Sequence, residues 1–270
     1  MTKYFYNMTS FWRPSMEPPE IGRKFLQTLD DLSKTDQAFH GWGLLQPIDE
    51  YVEEIQLSKL VPIESVRNKM TELVEENVYR GDDEEAWPDG GYSMAALTDY
   101  DQQPRRMEEH YQIRMQLGGT GIQELKFTAG DVLAAPKLAL VTYPIFRAVM
   151  EVLASIWPCN AIVAWGTEDM ENPKYVPHTW PGTDVVTYEV IGSDQIRLPW
   201  FCWLSAAYAP EADPPPQLIV EHLQNGAMLL AAAEERLDFA NPEHMARARL
   251  LDAIVNRLSI SGAEYWWSLA

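Results

Sequence analysis

Apolar residues recur along this chain at two periods, and the switches between them mark out its elements. Residues 3 to 12 are dense in aromatic and β-forming side chains and predict a strand that ends at Arg13-Pro14. After Pro18-Pro19 the spacing lengthens. Ile21, Phe25, Leu29 and Leu32 fall on one helical face, with Asp30, Asp31 and Lys34 turned outward. Phe39, Trp42, Leu44 and Leu45 predict a second strand or extended segment packing back on that helix. Pro62 to Tyr79 then predicts a helix with Val66, Met70, Leu73, Val74 and Asn77 inside and an acidic outer side. Tyr92–Thr98, Glu109–Leu117 and Ile122–Thr128 alternate polar with apolar, which predicts three antiparallel strands, the last two joined through Gly118-Gly119-Thr120-Gly121.

The second half opens on Tyr143 to Trp165. Pro144 suits a helix first turn, Ile145, Val149, Val152, Leu153 and Ile156 line one face, and Pro158 stops the helix before the short buried strand Ala161–Trp165. Gly166 to Asp184 is punctuated by Pro and Gly and reads as a long loop. Val185–Ile191 and Ile196–Ala207 follow as strands, the second unbroken enough in apolar character to be an inner strand. Pro210 to Pro216 reads as a loop carrying Glu211 and Asp213, and Leu218–Leu223 as a strand. Met228–Leu237 fits either strand or helix, and Asn241-Pro242-Glu243 starts a helix over 242–258 that buries Met245, Leu250, Ile254 and Leu258. The whole predicts an α+β fold of about eight strands and four helices, with antiparallel or mixed sheets and helices packed on one face. It is expected as one compact domain over 1–270, with 1–132 and 133–270 as candidate lobes.

Composition narrows the function. With 46% hydrophobic residues the chain can bury a sizeable core. No stretch of eighteen unbroken apolar residues occurs and the first residues lack a secretory h-region, so the cytoplasm is the expected compartment. Cys159 and Cys202 sit in apolar runs and are expected as core residues, not as a disulfide or metal pair. The formal charge of −19 disfavours nucleic acid and anionic membranes as ligands and favours a basic partner. Residues 47 to 92 alone hold thirteen acids against four bases, a net of −9. Within them Asp82, Asp83, Glu84, Glu85, Trp87 and Asp89 form an acidic loop with one aromatic, the composition of a contact surface for a basic protein. Glu168, Asp169 and Glu171 in the later loop make a second candidate contact surface.

Catalytic patterns are sparse. His40, His110, His178, His222 and His244 show no metal-ligand spacing, and His244, in a helix first turn, is expected at the surface. There is no Gly-x-Ser-x-Gly elbow and no Cys-x-x-Cys, and the glycine cluster at 118–121 lacks the following helix and Lys-Ser or Lys-Thr pair of a phosphate loop. The ten Trp lie mostly in apolar runs and read as core, not as a carbohydrate platform. Glu124 and Lys126, with Asp99 and Asp101 upstream, could hold Mg²⁺ for phosphodiester hydrolysis, but they also fit the solvent-facing positions of an ordinary strand. A polyanionic substrate would moreover meet a polyanionic protein. No catalytic residue, cofactor or metal is therefore expected, and an acidic adaptor for some other basic partner stands beside the hydrolase as an alternative.

Three stretches, Trp12-Arg13-Pro14, Gly22-Arg23-Lys24-Phe25-Leu26-Gln27-Thr28-Leu29 and Phe39-His40-Gly41-Trp42, resemble the opening of the immunity protein 52 family of bacterial polymorphic-toxin systems. Trp200-Phe201-Cys202-Trp203-Leu204 and Asn241-Pro242-Glu243-His244 extend the resemblance over nearly the whole chain. It implies a cytoplasmic antitoxin that binds and neutralises a cognate effector, typically a nuclease of restriction-endonuclease fold delivered by type VI or related secretion. The family acts by binding, so it supplies no catalytic residues.

Overall fold

The computed structural model describes residues 3–12, 15–52, 55–78, 91–99, 107–117, 123–130, 135–169, 174–179, 186–191 and 195–258. Strand β1 (Lys3–Trp12) lies at the middle of a ten-stranded antiparallel sheet. On one side it pairs with β6 (Gln123–Ala129), followed outward by β5 (Tyr111–Leu117), β4 (Tyr92–Leu97), β2 (Gly43–Val52) and β3 (Ile55–Pro62). On the other it pairs with β7 (Ala161–Asp169), followed by β10 (Gln195–Leu204), β12 (Met228–Ala231) and β11 (Ile219–His222). Strands of both halves of the chain thus share one sheet, joined at β1. The hairpin β8 (Lys174–Thr179) and β9 (Val186–Ile191) forms a separate pair.

Helix α1 (Pro18–Thr35) forms as its pattern predicts: Ile21, Phe25, Leu29 and Leu32 are each 1% exposed or less. They share a core with Phe146, Val149 and Leu153 of α4 (Tyr143–Ile156) and with Tyr6, Met8 and Trp12 of β1. Thr142 caps α4 by accepting from the Ile145 amide, and Pro144 occupies its first turn. The single helix expected over 62–79 is broken into α2 (Ile63–Val66), a 3₁₀ turn (Arg67–Lys69) and α3 (Met70–Glu76). At that break the Arg67 guanidinium reaches α1 and donates to both Asp30 carboxylate oxygens, at 2.6 and 3.0 Å, as well as to Glu64. Gly22 lets α3 approach α1, since a Cβ there would stand 3.2 Å from Met70 Cγ.

The sequence places all helices on one face, whereas the last, α5 (Pro242–Arg257), lies on the other. β7 shows why. Ile162 and Ala164 enter the core of α1 and α4, while Ala161, Val163 and Trp165 enter a second core with Leu251, Ile254 and Val255 of α5. A strand buried on both faces reads as an unbroken apolar run, so its sequence does not show that a second layer exists. β10 carries a further irregularity. Its register with β7 slips between Pro199 and Phe201, so Trp200 and Phe201, adjacent in sequence, both face the α1 and α4 core. Proline suits a bulge, where no ladder donor is required.

Both cysteines are free and buried, as expected of core residues. Burial pushes the Cys159 thiol up from 9.0 to about 12, and the Cys202 thiol upward as well. Above pH ~9 an unfolded thiol loses its proton while the folded one keeps it, so the unfolded state binds fewer protons and stability falls as pH rises. Each pKa unit corresponds to about 1.4 kcal/mol per thiol. The urea midpoint is expected to drop steadily from pH 9 to 11, and less steeply in Cys159→Ala. Equal slopes in the two proteins would show that this thiol does not couple folding to pH.

Candidate functional site

Of the acidic residues singled out as contacts, Asp82, Asp83, Glu84, Glu85, Trp87, Asp89 and Glu171 lie outside the described residues. Glu168 and Asp169 do not sit in a loop: β7 runs on through both, paired with β1 and β10. Ladder pairing on two sides offsets the local loop signal of Gly166 and its neighbours. The half-buried Glu168 accepts a hydrogen bond from the Tyr4 hydroxyl at 3.3 Å, and Tyr4 stacks on Phe239 at 5.7 Å. Asp169 stands opposite Lys3 and Gln195 at the end of the ladder.

The acidic outer side expected of the helix after Pro62 is present on α3. Glu72, Glu75 and Glu76 are exposed there, and no ion pair among the described residues involves them. On the far side of α1 a groove of about 410 Å³ has Leu29, Trp42, Pro62 and Ile63 as its apolar lining and Asp30 and Glu64 at its margin. Trp42 is fixed by donating its indole N–H to Ser33 Oγ at 3.2 Å. A smaller hollow of about 190 Å³ lies where α4 meets β10 and β12, over Met150, Trp203 and Leu229. Its one cation, Arg147, is already held by Glu151 and Glu221 at 2.9 and 2.8 Å.

Glu124 and Lys126 share one face of β6, but Asp99 is not brought to them. Asp99 follows β4 beside Tyr111, whereas Glu124 lies opposite Gln116 at the other end of the β5–β6 pair, roughly 17 Å along the strand at its normal rise. Asp101 lies outside the described residues. The charged neighbours of Glu124 are cations: Lys126 on its own strand, Arg197 on β10, and through them Arg114 on β5. Among the described residues no three His, Cys, Asp or Glu side chains are placed to hold a metal ion. Arg114 and Arg197 were not singled out in the sequence. Alternation in β5 and β6 places Arg114 and Lys126 on one face, but Arg197 arrives from a strand some seventy residues later.

His244 is buried, 6% exposed, and not at the surface. Its Nδ1 accepts from the Asp238 amide at 3.2 Å and its Nε2 lies 3.1 Å from Glu235, so this imidazole closes the 232–241 segment onto the start of α5. Asn241 caps that helix by accepting from the Glu243 and His244 amides.

No family model matches the sequence, and no curated protein matches it. Among solved structures, the Pseudomonas aeruginosa T6SS protein PA0821 has a similar fold: TM-score 0.50 and 10% identity, over 94% of this chain and 73% of that one. At that identity the likeness concerns the fold. No helix among the described residues is long and apolar enough to cross a membrane.

Proposed function

We propose that this chain is an immunity protein associated with type VI secretion, which binds a cognate effector toxin and neutralises it by occupying a basic surface. The observation that carries this reading is the likeness in fold, over 94% of the chain, to a P. aeruginosa T6SS protein. The resemblance of Trp12-Arg13-Pro14, Gly22–Leu29 and Phe39–Trp42 to the immunity protein 52 family points the same way. So does charge. An effector that cleaves nucleic acid must present a basic cleft, and a protein of formal charge −19 with exposed acids on α3 would meet it quickly and mask it. On this reading the protein acts in the cytoplasm by binding alone, without catalysis, cofactor or metal.

Co-expression and capture test it together. The tagged protein, purified from its own bacterium at low and at high salt, is expected to retain one stoichiometric basic partner, tightly enough at low salt to be identified by mass spectrometry. That partner expressed alone should arrest growth of a naive host, and co-expression should restore it. Retention of a partner that is not toxic would replace immunity with an adaptor role; growth arrest that co-expression leaves intact would remove the inhibitory function.

A further inference from the structure

On the face of the sheet opposite α1 and α4, α5 packs over β7, β10 and β12, with Phe11 of β1 and Val220 of β11 at its edges. Beyond α5, across β1, β6 and β5, strand register brings together side chains from distant parts of the sequence. Arg114 stands directly opposite Lys126, Lys126 opposite Thr9, and Thr9 opposite Val163. One row along, Asn7 is opposite Trp165, and in the next Thr167 is opposite Arg197. The exposed Arg197 turns back over the indole of the buried Trp165, its guanidinium carbon 4.3 Å from the ring centroid. Lys126 and Arg197 start from strands three spacings apart, about 14 Å, and two rows apart along the ladder, about 13 Å, so roughly 20 Å separates their backbones and their long side chains extend toward one another from either side.

We propose that Arg114, Lys126 and Arg197, backed by Trp165, form a binding site for a multiply charged oxyanion on the face of the sheet opposite α1 and α4. Three observations support it independently of the immunity reading. First, among the described residues the three cations share this patch with one acid, Glu124, so in a chain of net charge −19 these residues form a locally positive cluster. Second, no side-chain hydrogen bond or ion pair among the described residues engages any of the three, whereas Arg67, Arg147, Arg247 and Lys34 all have carboxylate partners. Third, the patch contains unused buried polar groups. Trp165 is 5% exposed, and among the described residues its Nε1–H has no acceptor and Asn7 Oδ1 across the ladder has no donor.

The electrostatics agree. Burial lowers the affinity of Lys126 for its proton, Glu124 opposes this, and Arg197 and Arg114 add to it. An anion between the three would relieve both the burial and the mutual repulsion. Stacking on Trp165 holds the Arg197 guanidinium in place while leaving its edge free to donate to two oxygens of one anion.

Calorimetric titration of the full chain with inorganic phosphate and with citrate, against chloride at matched ionic strength, tests the site. Saturable binding of one of them is expected, weakened about tenfold or more in Arg197→Gln and in Lys126→Gln, as loss of a charged hydrogen-bond partner implies. Lys69→Gln, an exposed cation on the 3₁₀ turn, should bind as the wild type does. A preference for phosphate would mark the natural ligand as a phosphate group and a preference for citrate as clustered carboxylates. Absence of binding to either, or binding that Arg197→Gln and Lys126→Gln leave unchanged while both remain folded by circular dichroism, overturns the site.

Discussion

Replacing Trp200 by alanine is expected to remove about 3–5 kcal/mol of folding stability, the range for deleting a large buried aromatic. Its ring is fully buried and lies 5.2–6.0 Å, centroid to centroid, from Tyr6, Tyr143, Phe146 and Phe201. Its indole N–H donates to the Ala233 carbonyl at 3.1 Å, and its own carbonyl accepts from Ala232 at 2.9 Å. The side chain therefore ties the segment after β12 to the middle of the sheet, and truncation leaves both a cavity and a buried carbonyl without its donor. A typical domain is stable by only about 5–15 kcal/mol, so the loss is a large part of the total. Trp200→Phe separates the two effects: it restores most ring contacts and gives up the hydrogen bond, and should cost about 1–2 kcal/mol. Urea unfolding of the three proteins measures this. A Trp200→Ala loss under about 1 kcal/mol would mean that the bulge relaxes and the core closes over the gap.

What the sequence disclosed depended on how many neighbours an element has. α1, β5, β6 and α4 each turn one side to the helix-covered core, so their periods of 3.6 and 2 are legible; the face the sequence shows for α1 is the buried one, whereas for α4 it includes half-buried Ile145 and misses the fully buried Phe146 and Met150. β7 and β10 are buried on both faces, and their unbroken apolar runs showed that they were inner strands without showing the α5 layer beyond. β2 and β3 were read only in part because Pro47 and the acids after it suggested a change of structure where one antiparallel hairpin continues. Met228–Leu237 was ambiguous because only its first four residues find a strand to pair with, at β10 and β11. The basic patch was hidden for a different reason. Charge was summed along the chain, where acids dominate, while Arg114, Lys126 and Arg197 come from three strands and meet only across the sheet. Lys126 had been noticed as half of a Glu-x-Lys fragment, and the fold surrounds that fragment with cations instead of the carboxylates a metal would need.

Reversing Glu72, Glu75 and Glu76 to lysine should slow association with the captured basic partner by about tenfold or more at low salt. These carboxylates are exposed on α3 and form no ion pair among the described residues. Each reversal changes the charge by two, taking the formal value from −19 to −13 and the net of residues 47 to 92 from −9 to −3. Exposed charges of this kind act chiefly on encounter, so the association rate should fall while the dissociation rate moves little. The effect should shrink as salt rises, because at 0.15 M the Debye length is about 8 Å. Folding should be nearly untouched, within about 0.5 kcal/mol, since exposed residues without partners contribute little. The Gln variants at the same positions, which neutralise without reversing, should fall between. Stopped-flow association at two salt concentrations reads all of this. If the lysine variant binds at the wild-type rate in low salt, α3 does not face the partner, and the encounter surface must lie on another side of the sheet.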